Sequence, residues 1–428
     1  MSKDSAAIPQ AENLQTLAGW LSYLERLHPS AIDMGLERVA AVRGRLGLAP
    51  GFPIISVAGT NGKGSVCAML ESVLARAGYR TGLYSSPHLL RYNERIRIGQ
   101  REATDAALVE AFARVERARA GTSLTYFEFG TLAALDLFIR AGVEAAILEV
   151  GMGGRLDAVN VFDADCAVVT AIGLDHMDYL GPDRESIGAE KAGIFRSARP
   201  AICGDPDPPE SVLAQAGTVS AHLSLIDRDF GFRAESGQWQ FWSAAGRRTA
   251  LPYPALRGSA QLGNAATALA ALEQVGQALP IDMGAIRRGL LEVELPARFQ
   301  ILPGRPTVIL DVAHNPQAAR VLADSLRAMP RTGRTLALFA MLSDKDIDGV
   351  VAELKTEIDE WFVAGLPGPR GADAPRIARA LSGAGTPVTE YDTPAAAYRQ
   401  AIRNAGQNDR ILVFGSFLTV AAVLQLRG

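Results

Sequence analysis

The sequence predicts an α/β protein: a large phosphate-loop-type domain on a mostly parallel sheet, then a smaller Rossmann-like α/β domain. Three observations carry this. Short β-rich apolar runs alternate with longer helical patterns, as buried parallel strands with crossover helices require. The first such run leads into a glycine-rich turn that opens a helix, VAGTNGKGSVCAML from Val57 to Leu70. The alternation stops at LPARFQILPGRP, where Pro296, Pro303, Gly304 and Pro306 crowd together, and restarts beyond it. At 428 residues the chain has room for two or three domains.

Taken in order, PIISVAGT (Pro53 to Thr60) reads as a buried strand and Lys63 to Ala77 as the helix after it, ended by Gly78. TGLYSS is the next strand. A polar helix from Thr104 to Ala118 and an amphipathic one from Phe127 to Ala141 follow, then the strands AAILEVG, CAVVTAIG and PAICG. Between residues 225 and 252 the rhythm breaks. FGFRAES-GQ-WQFWSAAGRRTAL alternates around a Ser-Gly turn, which predicts an antiparallel hairpin. Helices over Ala260 to Val275 and Met283 to Val293 lead into the proline-rich stretch, which divides a domain of residues 1–297 from one of residues 298–428. In the second, TVILDVAHNP, TLALFAML, EWFVAG, TPVTEYD and ILVFGS are the strands.

Composition narrows the function classes. The chain is 48% hydrophobic and 21% charged, ordinary for a globular protein with a sizeable core. A formal net charge of -3 gives no basic field for nucleic acid, so an anionic ligand must be held by local groups. Cys67, Cys166 and Cys203 are odd in number and far apart, neither a disulfide framework nor a zinc pattern, which fits a reducing cytoplasm. MSKDSAAIPQAE at the N-terminus has no apolar h-region, so no signal peptide is expected. The longest uncharged run, Ile411 to Leu426, falls short of the roughly 20 residues of a membrane helix. Gly415-Ser416 splits it into a strand-like and a helix-like half.

The glycine-rich turn departs from the usual nucleotide loop, G-x-x-x-x-G-K-[ST]. Gly62-Lys63 is followed by Gly64 and only then Ser65, and Val57 stands where the leading glycine belongs. Glycines alone can be only a flexible turn. After a buried strand and before a helix they place free backbone N–H groups and the positive helix end at one point, an anion site. Thr60, Asn61, Gly62, Lys63, Gly64 and Ser65 are therefore candidate ATP contacts, with Lys63 reaching the outer phosphates. Glu149 ends the apolar strand AAILEV, where open α/β sheets bind ligands. By itself it reads as a surface acid; followed by G-M-G-G and beside the loop it becomes a Mg²⁺ candidate. His176, in GLDHMD, is not a ligand on chemistry alone. Lys191, in GAEKAGIF, reads by itself as solvated or salt-bridged.

VAGTNGKGS, YSSPHL, TYFEFGTLAAL, ILEVGMGGRLDAVN, GLDHMDYLG and EKAGIF occur in this order. Together they resemble the folylpolyglutamate synthases, especially the bacterial bifunctional dihydrofolate synthase/folylpolyglutamate synthases, the folate branch of the Mur ligase superfamily. The likeness runs from Asp33 to the C-terminal FGS. The muramyl-peptide ligases resemble G-T-N-G-K-[ST] without the extra glycine, so Gly64 and YSSPHL mark the folate branch. The resemblance implies that Ser86, Glu149 and His176 bind the magnesium ions linking ATP to substrate. It also implies that Lys191 carries a carbamate made from CO₂ (N6-carboxylysine). Around 7,8-dihydropteroate it places Asp33, Met34, Gly35 and Leu36 of AIDMGLERV, Thr125, Tyr126, Phe127 and Glu128 of TYFE, and Leu156, Asp157 and Ala158 of LDA. As bare sequence the first of these is a helix with a glycine interruption, and Tyr126 and Phe127 are core residues. A flat pterin nonetheless suits an aromatic wall such as Phe127 and a carboxylate such as Asp157 to accept ring N–H groups.

Asn264, Arg298 and Asp311 match the family's ATP positions, although the simplest role of Asn264, near a helix start, is capping. Arg298 would offer phosphate a planar cation and Asp311 would accept from ribose hydroxyls. His314, three residues on, is a candidate catalytic group near the same cleft. The groups that hold glutamate are not placed by the sequence. The expected activity is an ATP-driven amide ligase working through an acyl phosphate. It would add L-glutamate to 7,8-dihydropteroate and to the γ-carboxylate of reduced folates, as a cytoplasmic monomer without nucleic-acid or membrane partners. Folylpolyglutamate synthesis alone, another Mur-type ligase, a nucleotide-hydrolysing switch and a non-catalytic binding module are the other readings.

Overall fold

The computed structural model describes residues 14–30, 32–383 and 385–427; MSKDSAAIPQAE and Ala31 lie outside them. The first sheet takes eight strands: β1 (Ile54–Ala58), β2 (Thr81–Tyr84), β3 (Ile96–Ile98), β4 (Arg101–Glu102), β5 (Ala145–Glu149), β6 (Cys166–Val169), β7 (Pro200–Cys203) and β8 (His222–Leu225). Their order is β4-β3-β2-β5-β1-β6-β7-β8. From β2 to β8 every pairing is parallel, and β3 and β4 add an antiparallel edge. Every residue of β1, β5 and β6 is buried, which is why these strands are continuous apolar runs rather than alternating ones.

Helices cover both faces. On one, the helix Lys63–Arg76 buries Val66, Met69, Leu70 and Val73 and packs against Gln261–Gln274 and Met283–Glu292. Gly289 permits that closeness: a β-carbon there would lie 2.6 Å from the Val73 Cα. On the other, Tyr126–Ala141 packs with Asp105–Arg119 and two N-terminal helices, Leu17–Leu27 and Glu37–Leu46, around Trp20, Phe112 and Phe129. Met34 to Leu36 thus precede a helix instead of lying in one.

The expected hairpin is a three-stranded antiparallel sheet: β9 (Phe230–Glu235), β10 (Gln238–Ser243) and β11 (Gly246–Leu251). The Ser-Gly turn forms as read, with Gly237 at φ +74°. The third strand is mostly exposed and polar, GRRTAL, so it lacks the alternation that marks a strand in sequence. The second sheet, β12-β13-β17-β14-β15-β16, comprises β12 (Gln300–Leu302), β13 (Thr307–Leu310), β14 (Thr335–Phe339), β15 (Glu360–Ala364), β16 (Val388–Tyr391) and β17 (Arg410–Phe414). All its pairings are parallel except β12–β13, and β12 comes from the proline-rich stretch itself. Its core stacks Phe339 on Phe414 at 4.6 Å. The three cysteines are free and buried. No helix among the described residues is long and apolar enough to cross a membrane.

One buried acid should make the stability of the first domain depend on pH. Glu71, on the inner side of Lys63–Arg76, has Oε2 3.2 Å from Arg97 Nη2, while Oε1 has no partner. Burial pushes its pKa up to about 7 against the attraction of Arg97. A raised folded-state pKa means its stabilising contribution is present below the unfolded value, 4.5, and is lost as pH climbs through 7. Glu71→Gln should remove that loss, worth at most ~3 kcal/mol. Melting temperatures from pH 5 to 8 should fall more steeply in the parent than in the variant; parallel curves would refute the assignment.

Candidate active site

The C-terminal ends of β1, β2, β5 and β6 open into a cavity of about 550 Å³ whose opposite wall comes from loops of the second sheet. Here β5 and β6 flank β1 and the strand order reverses, the crevice where open α/β sheets take ligands. The loop after β1 is held from the side. Thr60 Oγ1 both donates to the carbonyl and accepts from the N–H of Gly173, each at 3.0 Å, and Thr170 Oγ1 donates to the Asn61 carbonyl at 2.7 Å. Gly62 caps the helix at φ +94°, with Asn264 Oδ1 2.7 Å from where its β-carbon would be. Lys63, the first helical residue, folds back onto the carbonyls of Gly59 (3.0 Å) and Thr60 (3.3 Å). Ser65 is buried in the first turn.

The extra glycine lies in the wall of the cavity, near groups from both sides of it. A β-carbon at Gly64 would stand 3.6 Å from Arg298 Nη2 and 3.9 Å from Glu149 Oε1. These are ordinary van der Waals distances, as is the 3.5 Å to Leu295, so a methyl group would fit and only a longer side chain would reach between the guanidinium and the carboxylate. Asn264 lies one turn inside its helix, beyond the N-cap position at Ala260, and donates to Gln261 Oε1 at 3.1 Å. Capping is therefore not its role.

Glu149 is buried at the end of β5, where Oε2 accepts the Ser86 N–H at 3.2 Å. Burial raises its pKa, opposed by Lys63 and by that N–H. Ser86 and Glu149 both line the cavity and bear oxygen donors, the ligand type a hard divalent cation takes when water fills most of its shell. Among the described residues no group of three or more His, Cys, Asp or Glu is placed to hold a metal ion. His176 sits in a left-handed conformation (φ +53°), and burial foremost lowers its pKa to about 4, leaving a neutral ring. Its Nε2 is 3.4 Å from Lys345 Nζ, so the ammonium must withdraw before this nitrogen can meet a cation. Lys191 is buried in the helix Arg184–Ala192 and faces the same cavity. Burial first, then Lys63, bring its pKa down to about 7.

From the second domain, Arg298 lies over the Phe417 ring at 5.1 Å, half-buried in the cavity wall. Asp311 accepts backbone N–H groups on both oxygens, from Phe299 (2.8 Å) and Ala313 (2.7 Å), which fixes its carboxylate at the end of β13. His314 holds Nδ1 2.8 Å from the Val312 carbonyl and Nε2 3.5 Å from Asp175. Asp175 also pairs with Lys345, so one first-domain acid joins two second-domain groups. Burial alone would raise Asp175; the hydrogen bond from His314 and the neighbouring cationic groups, Lys345 among them, outweigh it and hold the carboxyl well below the usual range. Neither Asp175 nor Lys345 was read from sequence, although both follow apolar strands, the signal that found Glu149.

The expected pterin residues gather behind the Gly151–Gly153 turn rather than in the main cavity. Phe127 packs on Gly151, its ring 2.8 Å from where a β-carbon would be, and Met34 approaches Gly153. Asp157 accepts three backbone N–H groups, from Gly151, Met152 and Val159, each at 3.0 Å. Its first evident work is therefore shaping the turn, and burial still raises it to about 6. Leu156 and Ala158 flank it. Thr125 and Glu128 form a capping box that starts the helix bearing Tyr126 and Phe127, both half-buried at the core's edge. Arg38, which carried no sequence signal, ties these pieces together: it reaches the Asp33 carbonyl (2.9 Å), the Asp33 carboxylate (2.8 Å) and Glu128 (3.0 Å). Gly35 lies in the same short connection.

Two family models match the chain: the Mur ligase middle domain over residues 57–272 and the Mur ligase glutamate ligase domain over residues 297–417. The dihydrofolate synthase/folylpolyglutamate synthase of Escherichia coli is 49% identical over 98% of this chain and 96% of its own length. A structure of E. coli FolC in complex with DHPP and ADP superposes with a TM-score of 0.93 at 50% identity, covering 98% of this chain and 99% of that one. A bifunctional folylpolyglutamate synthase/dihydrofolate synthase with Mn, AMPPNP and L-glutamate bound gives 0.91 at 47% identity, over 98% and 99%. With the phosphate loop, the strand-end carboxylate and both domains accounted for, this chain belongs to the dihydrofolate synthase/folylpolyglutamate synthase family of the Mur ligases.

Proposed function

We propose that this ATP-dependent acid–amino-acid ligase joins L-glutamate to 7,8-dihydropteroate, giving dihydrofolate, and to the γ-carboxylate of reduced folates. A carboxylate is a poor electrophile because an amine would have to expel oxide. Transfer of the γ-phosphoryl group of ATP gives an acyl phosphate; the glutamate amine attacks its carbonyl carbon, and phosphate leaves. The observation that carries this reading is the single cavity in which Lys63, Glu149 and Lys191 face Arg298 and His314. The backbone N–H groups of Thr60 and Asn61 are donated to the Ala171 carbonyl, so against the sequence expectation they hold the loop instead of the nucleotide. Those at residues 62–65 and Lys63 would grip the phosphates, with Arg298 opposite and Asn264 beside Gly62, and Asp311 would take the ribose. Mg²⁺, held by Ser86, Glu149 and His176, would neutralise charge between ATP and the acyl carboxylate. A neutral amine at Lys191 can take up CO₂ as a carbamate. Asp33 to Leu36, Thr125 to Glu128 and Leu156 to Ala158 would form the pterin end, behind the glycine turn.

Catalytic groups from both domains of one chain favour a monomer closing at residues 297/298, which excludes water from the acyl phosphate. Three buried free thiols favour the cytoplasm. The test is ATP-dependent incorporation of labelled glutamate into dihydropteroate and into a tetrahydrofolate. Both should be labelled. Labelling of the tetrahydrofolate alone would leave a folylpolyglutamate synthase only, and labelling of neither would reject the reaction.

A further inference from the structure

The phosphate loop is bonded not only to its own domain. Asn61 Nδ2 donates to Gln317 Oε1 at 2.6 Å and to Asn315 Oδ1 at 3.1 Å, and Asn315 Nδ2 donates back to Asn61 Oδ1 at 3.1 Å. Gln317 Nε2 reaches onward to the Ile172 carbonyl at 3.3 Å, in the segment that clamps Thr60. Asn315 is buried and caps the helix Pro316–Ala328, its Oδ1 accepting the Ala318 N–H at 2.9 Å, so its position is set by the second domain. The Asn61 amide, expected from sequence to face ATP, is thus occupied across the domain boundary.

We propose that Asn315 and Gln317 are positioning residues through which the second domain holds the phosphate loop in its phosphate-accepting shape. Thr170 and the Ala171 carbonyl hold the backbone of Asn61 from the first domain. The three amide hydrogen bonds of its side chain add a restraint on this glycine-rich loop that exists only while the second domain is docked. ATP is then gripped productively only in the closed enzyme, which couples activation of the acid to exclusion of water. This deepens the proposed ATP site and rests on that reading.

A double-mutant cycle on the full chain tests it. Asn61→Ala, the near-isosteric Gln317→Met and the double variant are compared by kcat/KM for ATP in glutamate ligation, with KM for dihydropteroate as the internal control. If the residues act through one joint, each single change lowers kcat/KM for ATP by about tenfold and the double variant falls no more than about twofold further. KM for dihydropteroate should stay within about twofold. The proposal fails if the two losses multiply, if Gln317→Met matches the parent, or if KM for dihydropteroate rises equally. Asn315→Asp, which keeps the helix cap but cannot donate to Asn61, should behave like Gln317→Met; parental kinetics would also overturn it. Full turnover in Lys63→Ala would instead sink the ATP-site reading itself.

Discussion

Lys63→Ala should retain its fold and lose glutamate ligation, with kcat reduced by on the order of 10²–10³-fold. The fold should survive because Lys63 occupies the first position of its helix and its side chain hydrogen-bonds the carbonyls of Gly59 and Thr60 in the same loop. Activity is lost because phosphoryl transfer spreads negative charge over the moving group, and no second lysine is positioned in that loop to meet it. Arg298 stands beside Gly64, on the far side of the gap, and cannot replace a group that swings from within the loop. The same substitution also acts at a distance. Lys63 helps to depress the proton affinity of Lys191, so its removal lets Lys191 hold its proton to higher pH. Steady-state ADP release with dihydropteroate and glutamate measures the loss, and a melting curve within a few degrees of the parent attributes it to chemistry. Unchanged turnover would refute the loop as the phosphate-transfer site.

Strand positions and the loop were legible because buried parallel strands are continuous apolar runs and because glycines before a helix have few other uses. β11 escaped because an exposed edge strand obeys no burial pattern. The site was legible where its chemistry sits at strand ends, as with Glu149, and through motif resemblance where single residues are ambiguous. Its cross-domain joints were not. Asp175 meets Lys345, and Asn61 meets Gln317, across long stretches of chain, and no local spacing encodes either contact. Gly64 shows both sides: the sequence marks it as unusual, while only the structure shows that it stands near Arg298 and Glu149.

Lys191 should carry a carbamate, and Lys191→Ala should lower kcat by on the order of 10²–10³-fold without restoration by bicarbonate. The reaction adds CO₂ to a neutral amine, giving a carbamate and releasing one proton, so it needs an unprotonated lysine. An ordinary lysine at pH 7.5 is almost wholly charged. Burial, reinforced by Lys63, brings Lys191 down to about 7, so more than half is the free amine at that pH. The product suits the site better than the reactant does. An amine whose protonated form Lys63 disfavours becomes an anion that Lys63 attracts, and two oxygens become available to orient a metal-bearing nucleotide. At fixed dissolved CO₂, occupancy should therefore rise with pH through about 7 and activity with it. Carbon-13 NMR with labelled CO₂ reads the modification directly, independently of turnover: a carbamate resonance in the parent chain, absent in Lys191→Ala. Removal of CO₂ should slow the parent and bicarbonate should restore it. A parent chain with no such resonance under saturating CO₂, and with activity indifferent to its removal, would leave Lys191 as an unmodified buried amine.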